Sequence, residues 1–169
     1  MVKCKLAGLL LDTWKDLDRV LRGLEPAQAV QQLQGGSSFA WTLGHLSSQV
    51  DSWINVRLQG RSAHTLLGHE QFRFGGTGQA DEWEAILHAT QQVRDAARPC
   101  LENLEEKDLE RVFPYDGPFR RFQETGVTLR YVLTRACVHH YFHIGEIATK
   151  RNILGHQVGD YPGPLYECA

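Results

Sequence analysis

Eight histidines stand in a chain of 169 residues, and three of them, His139, His140 and His143, fall within five positions. On a helix, the four-residue step from His139 to His143 puts two imidazoles on one face, their Cβ atoms about 6 Å apart. His140 lies about 100° round from His139, so all three rings fit one arc. Leu129, Val132, Leu133, Ala136 and Ile147 continue that arc, which aims it at a core. A buried imidazole nitrogen left without a partner costs about 1–3 kcal/mol. Ordinary core hydrogen bonds meet that need; so does a divalent metal, which takes one nitrogen from each ring at once.

Spacing of i, i+4 supplies only two ligands, so a third has to come from another helix. His45 is the candidate, on a stripe with Trp41, Ser48 or Gln49, and Ser52. His64 and His69 sit in a Gly-rich stretch, His88 on a different helix and His156 in the tail, and the pattern fixes none of them toward the pair. Gly44 precedes His45, and Gly145 follows His143 by two. Each glycine costs a helix about 1 kcal/mol relative to Ala, which a close helix approach would explain. The pair is not H-E-x-x-H, since no Glu stands between the two histidines.

Four amphipathic segments must position these residues. Residues 4–23 place Leu6, Ala7, Leu10, Leu11, Trp14, Leu17, Val20 and Leu21 at helical spacing, with Asp12, Lys15, Asp16, Asp18 and Arg19 on the other side. Ser37 or Ser38 offers an N-cap for a second helix that ends near Gly60. A third starts around Ala80–Asp81 with acidic residues in its first turn, and Pro99 is expected to end or kink it. The fourth spans residues 128–153 and stops at Leu154-Gly155. With long connections at 61–79 and 105–127, a simple up-down-up-down hairpin chain is not implied. The expected fold is all-α: one four-helix bundle over residues 1–169 with long loop crossings.

Composition removes other classes. The chain is 42% hydrophobic and 22% charged, which excludes collagen-like, disordered and disulfide-scaffold proteins. Its 18 basic against 20 acidic residues lack the basic excess of a nucleic-acid binder. No apolar run approaches the roughly 18 residues of a membrane span. The N-terminal apolar stretch Leu6–Leu11 is cut by Asp12, which reads as a mature cytoplasmic start. The four cysteines form no C-x-x-C pair and read as free thiols. Cys137 lies two residues before His139, hence about 200° round the helix, which argues against a Cys–His nucleophile pair. No G-x-S-x-G or phosphate-binding glycine motif is present.

The segment from Ser38 to Leu46 (SFAWTLGHL), followed by the segment from His139 to Ile147 (HHYFHIGEI) and by Asn152–Gly155 (NILG), resembles the second-helix and last-helix motifs of the DinB/YfiT-like proteins. The resemblance runs over essentially the whole chain in helix order. It implies a His₃ divalent-metal site, carried onto His45, His139 and His143. It also implies relatives that act as metal-dependent thiol transferases or hydrolases. His140 falls where the motif asks for no ligand, and with Gln49 and Glu146 it becomes a candidate for supporting the ligands from behind.

Three neutral imidazoles leave coordination positions open, as catalytic sites do; structural sites are closed by four protein ligands. Zn, Ni, Fe or Co suits such a set. The expected activity is attack of an activated low-molecular-weight thiol, or a water, on a small electrophile. The rivals are a non-catalytic metal or small-ligand binding module, such as a sensor, and a metal-free structural bundle. The connections at 61–79 and 105–127 are expected to line the pocket, with Arg73, Arg120 or Arg121 orienting an acidic thiol through its carboxylates. The expected partners are a small-molecule substrate and a second copy packed through Trp14 or Trp53, with no nucleic acid and no membrane.

Overall fold

The computed structural model describes residues 2–169. Four long helices carry the architecture: α1 (Lys5–Leu21), α3 (Phe39–Val50), α4 (Trp83–Asn103) and α6 (Leu129–Ile153). Two short ones, α2 (Pro26–Ala29) and α5 (Arg120–Thr125), lie in the connections. The fold is an all-α bundle with almost no strand. Its main pairings are α1 along α6 and α3 along α4. Among the described residues no helix is long and apolar enough to cross a membrane.

Local chemistry starts the two site-bearing helices. The Ser38 hydroxyl caps α3 by accepting from the Trp41 amide, and Thr128 does the same for α6 through the Tyr131 amide. Leu10, Leu17, Phe39, Leu43, Leu46, Ile86, Leu101 and Leu133 fill the middle of the bundle, all of them buried. Truncating one such leucine to Ala costs about 2–5 kcal/mol. At one end Arg151 of α6 donates to the carbonyls of Val20 and Arg22, where α1 has exhausted its own hydrogen-bond partners.

Several elements depart from the sequence reading. Asp12 and Asp16, expected on the solvent side of α1, are buried at 2% and 5% exposure. The C-terminal tail covers them: Asp12 accepts from the amides of Glu167 and Cys168, and Asp16 accepts from the Gly163 amide and the Tyr141 hydroxyl. Trp14 is likewise buried, with the guanidiniums of Arg94 and Arg98 over its ring, so it offers no face to a second copy. Pro99 does not end α4, which runs on to Asn103. Burial of Ala97 and Leu101 on either side of Pro99 holds the last turn in place.

The second helix changes pitch partway. After Val50 it continues as a π-helix from Asp51 to Leu58. The wider turn buries Asp51 and Asn55 against α4, where the Asn55 amide donates to Asp51 and to the Val93 carbonyl. Asp51 in turn accepts from the His64 amide and so fixes the start of the 61–79 connection. The 105–127 connection is more ordered than its Pro and Gly content suggests. It holds a tight turn at Glu106–Glu110, α5, and an antiparallel pairing of β1 (Val112–Phe113) with β2 (Val127–Thr128).

Candidate metal centre

α3 and α6 bring His45, His139 and His143 together. One ligand nitrogen from each lies within 4.8 Å of the other two. The Nε2 atoms of His45 and His139 are 2.9 Å apart. Around a metal, nitrogen bonds of about 2.0–2.1 Å in a tetrahedron set ligand–ligand edges near 3.3 Å, which falls in the span of these separations.

The opposite nitrogens decide what faces the centre. His45 Nδ1 donates to the Phe72 carbonyl at 2.6 Å, an atom that can only accept, so Nε2 carries a lone pair. Trp41 stacks on the same ring at 4.8 Å and donates from its indole to the Gln71 carbonyl. Two carbonyls of one tight turn, Glu70–Phe72, are thus pinned to one face of α3. His143 Nδ1 meets Glu146 Oε2 at 2.6 Å, and its Nε2 is buried with no partner among the described residues. An orphaned buried nitrogen beside two others, one of them fixed as a lone pair, is what a cation would satisfy. The residues present fit a divalent metal.

Electrostatics keep the set ready to coordinate. Burial first, then the charges that His143, His45 and Arg135 would add nearby, pushes His139 down to about 3. Burial likewise lowers His45. Neutral imidazole is the ligand form. Burial works against the charge on Glu146. Hydrogen bonds from His143, Lys150 and Ser37 outweigh it and hold the carboxyl down to about 2. Lys150 is itself buried; it pairs with Glu146 and donates to the Ser37 carbonyl at 2.6 Å.

The other sequence candidates fall in different places. Gln49 reaches the centre, its amide nitrogen 3.0 Å from His139 Nε2 and 3.3 Å from His45 Nε2. Glu146 stands behind His143 as expected. His140 does not join the triad: its Nδ1 donates to the Ala136 carbonyl, and burial pushes it down to about 3. Arg73 is exposed on its loop beside Glu70, Arg120 pairs with Glu124 on α5, and Arg121 is exposed. None of the three lines the concavity that reaches His139, which is formed by Tyr131, Thr134, Arg135, Val138, His139 and Phe142.

The sequence reading missed Phe72, Ser37, Lys150 and Arg135. One signal for Phe72 was present, in Gly44. A Cβ there would stand 2.3 Å from the Phe72 ring, so glycine admits the loop that carries the carbonyl, not a neighbouring helix. Gly145 has open space around it, and close approach does not account for it.

Among curated proteins no sequence matches the chain. The family model of the DinB superfamily matches residues 9–147, a stretch that includes most of α1, all of α3 and α4, most of α6 and all three histidines. With that match over most of its length, the chain belongs to the DinB superfamily.

Proposed function

We propose that the chain is a divalent-metal-dependent enzyme that activates a low-molecular-weight thiol, or a water, for attack on a small electrophile. The observation that carries this reading is the convergence of His45, His139 and His143 on one point, with His143 Nε2 buried and unpartnered. Zn, Ni, Fe or Co suits three imidazoles. An ion held there supplies Lewis acidity, which ionises a thiol or water at neutral pH.

The chain's own residues set the conditions for that chemistry. The Phe72 carbonyl fixes the tautomer and tilt of His45, and Glu146 does so for His143. Ser37 and Lys150 hold Glu146 in turn, which keeps its carboxylate in place as the partner of His143 Nδ1. Gln49 places an amide against the two nitrogens that face each other. Among the described residues only three protein ligands of this type converge, which favours an open, reactive site over a closed structural one. His139 is only partly buried and borders the groove on α6, which supports access by a small molecule.

The test is conjugation of an electrophilic aryl halide by a panel of thiols, with protein in metal-loaded and chelated forms. Metal-dependent turnover with one thiol is expected. Turnover with water alone would move the assignment to a hydrolase. No rate above the uncatalysed reaction, for any thiol or for water, would leave a non-catalytic metal-binding bundle.

A further inference from the structure

The outer face of α6 carries a stripe that the metal site does not use. Tyr131, Arg135, Val138 and Phe142 follow one another at steps of four, three and four, so their side chains lie along one line. With Thr134 and His139 they line a concavity of about 470 Å³. Val138 and Phe142 are 65% and 68% exposed, which leaves two large apolar side chains facing water beside a metal ligand. The Phe142 ring lies nearly parallel to the His139 ring, 6° off plane at 6.4 Å between centroids. At the other end Phe122 of α5 packs against Tyr131 at 4.8 Å and fixes that wall.

One charge interrupts the apolar surface. Arg135 is exposed, and no Asp or Glu lines the groove with it. Arg130 on the same helix pairs with Glu110, and Arg120 on α5 pairs with Glu124. Arg135 has Tyr131 and His139 one turn to either side, neither of them acidic, and has no carboxylate partner among the described residues. A solvated guanidinium alone binds an anion weakly. Beside exposed apolar side chains, the same fork can hold a carboxylate through two parallel hydrogen bonds while Val138 and Phe142 take up the apolar body and lose their own contact with water.

We propose that this groove is a binding subsite for a small organic carboxylate with an aromatic or otherwise apolar body, and that Arg135 is its counter-ion. The inference deepens the reading of the metal site, on which it rests only for what the ligand meets at the inner, His139 end. Carboxylate at Arg135 and apolar body on Val138 and Phe142 would point the far end of the ligand toward the three histidines. Arg135 is here a specificity-determining residue that touches the ligand, not a ligand of the metal.

Binding of 3-phenylpropionate and of its neutral amide, followed by calorimetry on metal-free and zinc-loaded protein, tests this. The carboxylate should bind about 10-fold or more tightly than the amide. Arg135→Gln should remove that preference with zinc stoichiometry unchanged. Arg135→Lys should recover only part of it, because an ammonium lacks the fork. Phe142→Ala should weaken both ligands alike. Equal affinity for acid and amide, no effect of Arg135→Gln, or no binding of either overturns the proposal. So does a dimer in light scattering that Phe142→Glu dissociates, because a second copy would then cover the groove. Loss of zinc binding with the acid preference intact would sink the proposed enzyme and leave the subsite standing. Stoichiometric zinc with no acid preference would do the reverse.

Discussion

Gly44→Ala is a one-carbon change that reaches the metal site through a loop. The added Cβ would sit 2.3 Å from Cε1 and 2.6 Å from Cδ1 of Phe72, against an ordinary contact distance of 3.4 Å or more. The ring therefore has to retreat by about 1 Å, and it is a buried ring with nowhere empty to go. Overpacking of this kind costs about 1–3 kcal/mol, while Ala in place of Gly returns about 1 kcal/mol of helix propensity. The net expected loss of stability is roughly 0–2 kcal/mol in urea denaturation of the metal-free protein. The sharper effect falls on His45. Its Nδ1 bonds the carbonyl of the same Phe72 at 2.6 Å, and a displaced carbonyl releases the ring. Loss of a hydrogen bond behind a metal-ligating histidine weakens metal binding about 10–100-fold. Zinc affinity by competition with a chromophoric chelator measures it. Phe72→Leu in the Gly44→Ala background keeps the carbonyl, removes the clash and should recover much of the affinity. A Gly44→Ala protein that is about 1 kcal/mol more stable and binds zinc as tightly as the parent would refute the reasoning.

Other expectations follow from the same geometry. Glu146→Gln should weaken zinc binding about 10–100-fold by changing what His143 Nδ1 meets. It should also destabilise the metal-free fold by roughly 3 kcal/mol, because buried Lys150 loses its carboxylate; competition titration and urea melts read the two effects. Metal in 100-fold excess over its dissociation constant should add about 2.7 kcal/mol, hence roughly 5–10 °C in Tm. The chelated protein should keep its helical circular dichroism, because its core is closed without an ion. Cys137 is pushed up to about 12 by burial against α1, so it should resist iodoacetamide at pH 8.5 while the native fold persists. An unfolded thiol ionises near pH 8.5, so this group's stabilising effect is complete below that pH and is lost as pH rises toward about 12. Peptide mapping by mass spectrometry and alkaline urea melts check both halves.

Much of the site was legible because it rests on side-chain identity and helical period. The i, i+4 pair on α6 and the inward stripe through His45 need nothing beyond the 3.6-residue repeat. The same period put His140 on the buried arc, where it sits, but could not tell that its Nδ1 would turn to the Ala136 carbonyl of its own helix. The Phe72 carbonyl left no trace in residue type, since every residue carries one; only Gly44 betrayed its approach. Asp12 and Asp16 read as solvent-facing because acidic residues usually are. Their burial depends on amides of the tail more than 140 positions away, which no local pattern encodes. The pitch change at Asp51 is set by tertiary hydrogen bonds to Val93 and His64, again beyond local reach. Arg135 was passed over because the expected anion anchors were sought on loops, whereas the groove lies on the outer face of the helix that bears the ligands.

The central claim is that His45, His139 and His143 hold one metal ion between α3 and α6. Metal content of untagged protein, purified without a metal-affinity column and titrated with zinc after chelation, tests it most directly. The parent and His140→Ala should each bind one equivalent, and His45→Ala, His139→Ala and His143→Ala should each lose it or bind far more weakly. A parent that binds no metal, or a His140→Ala protein that loses the ion while His139→Ala keeps it, would contradict the account.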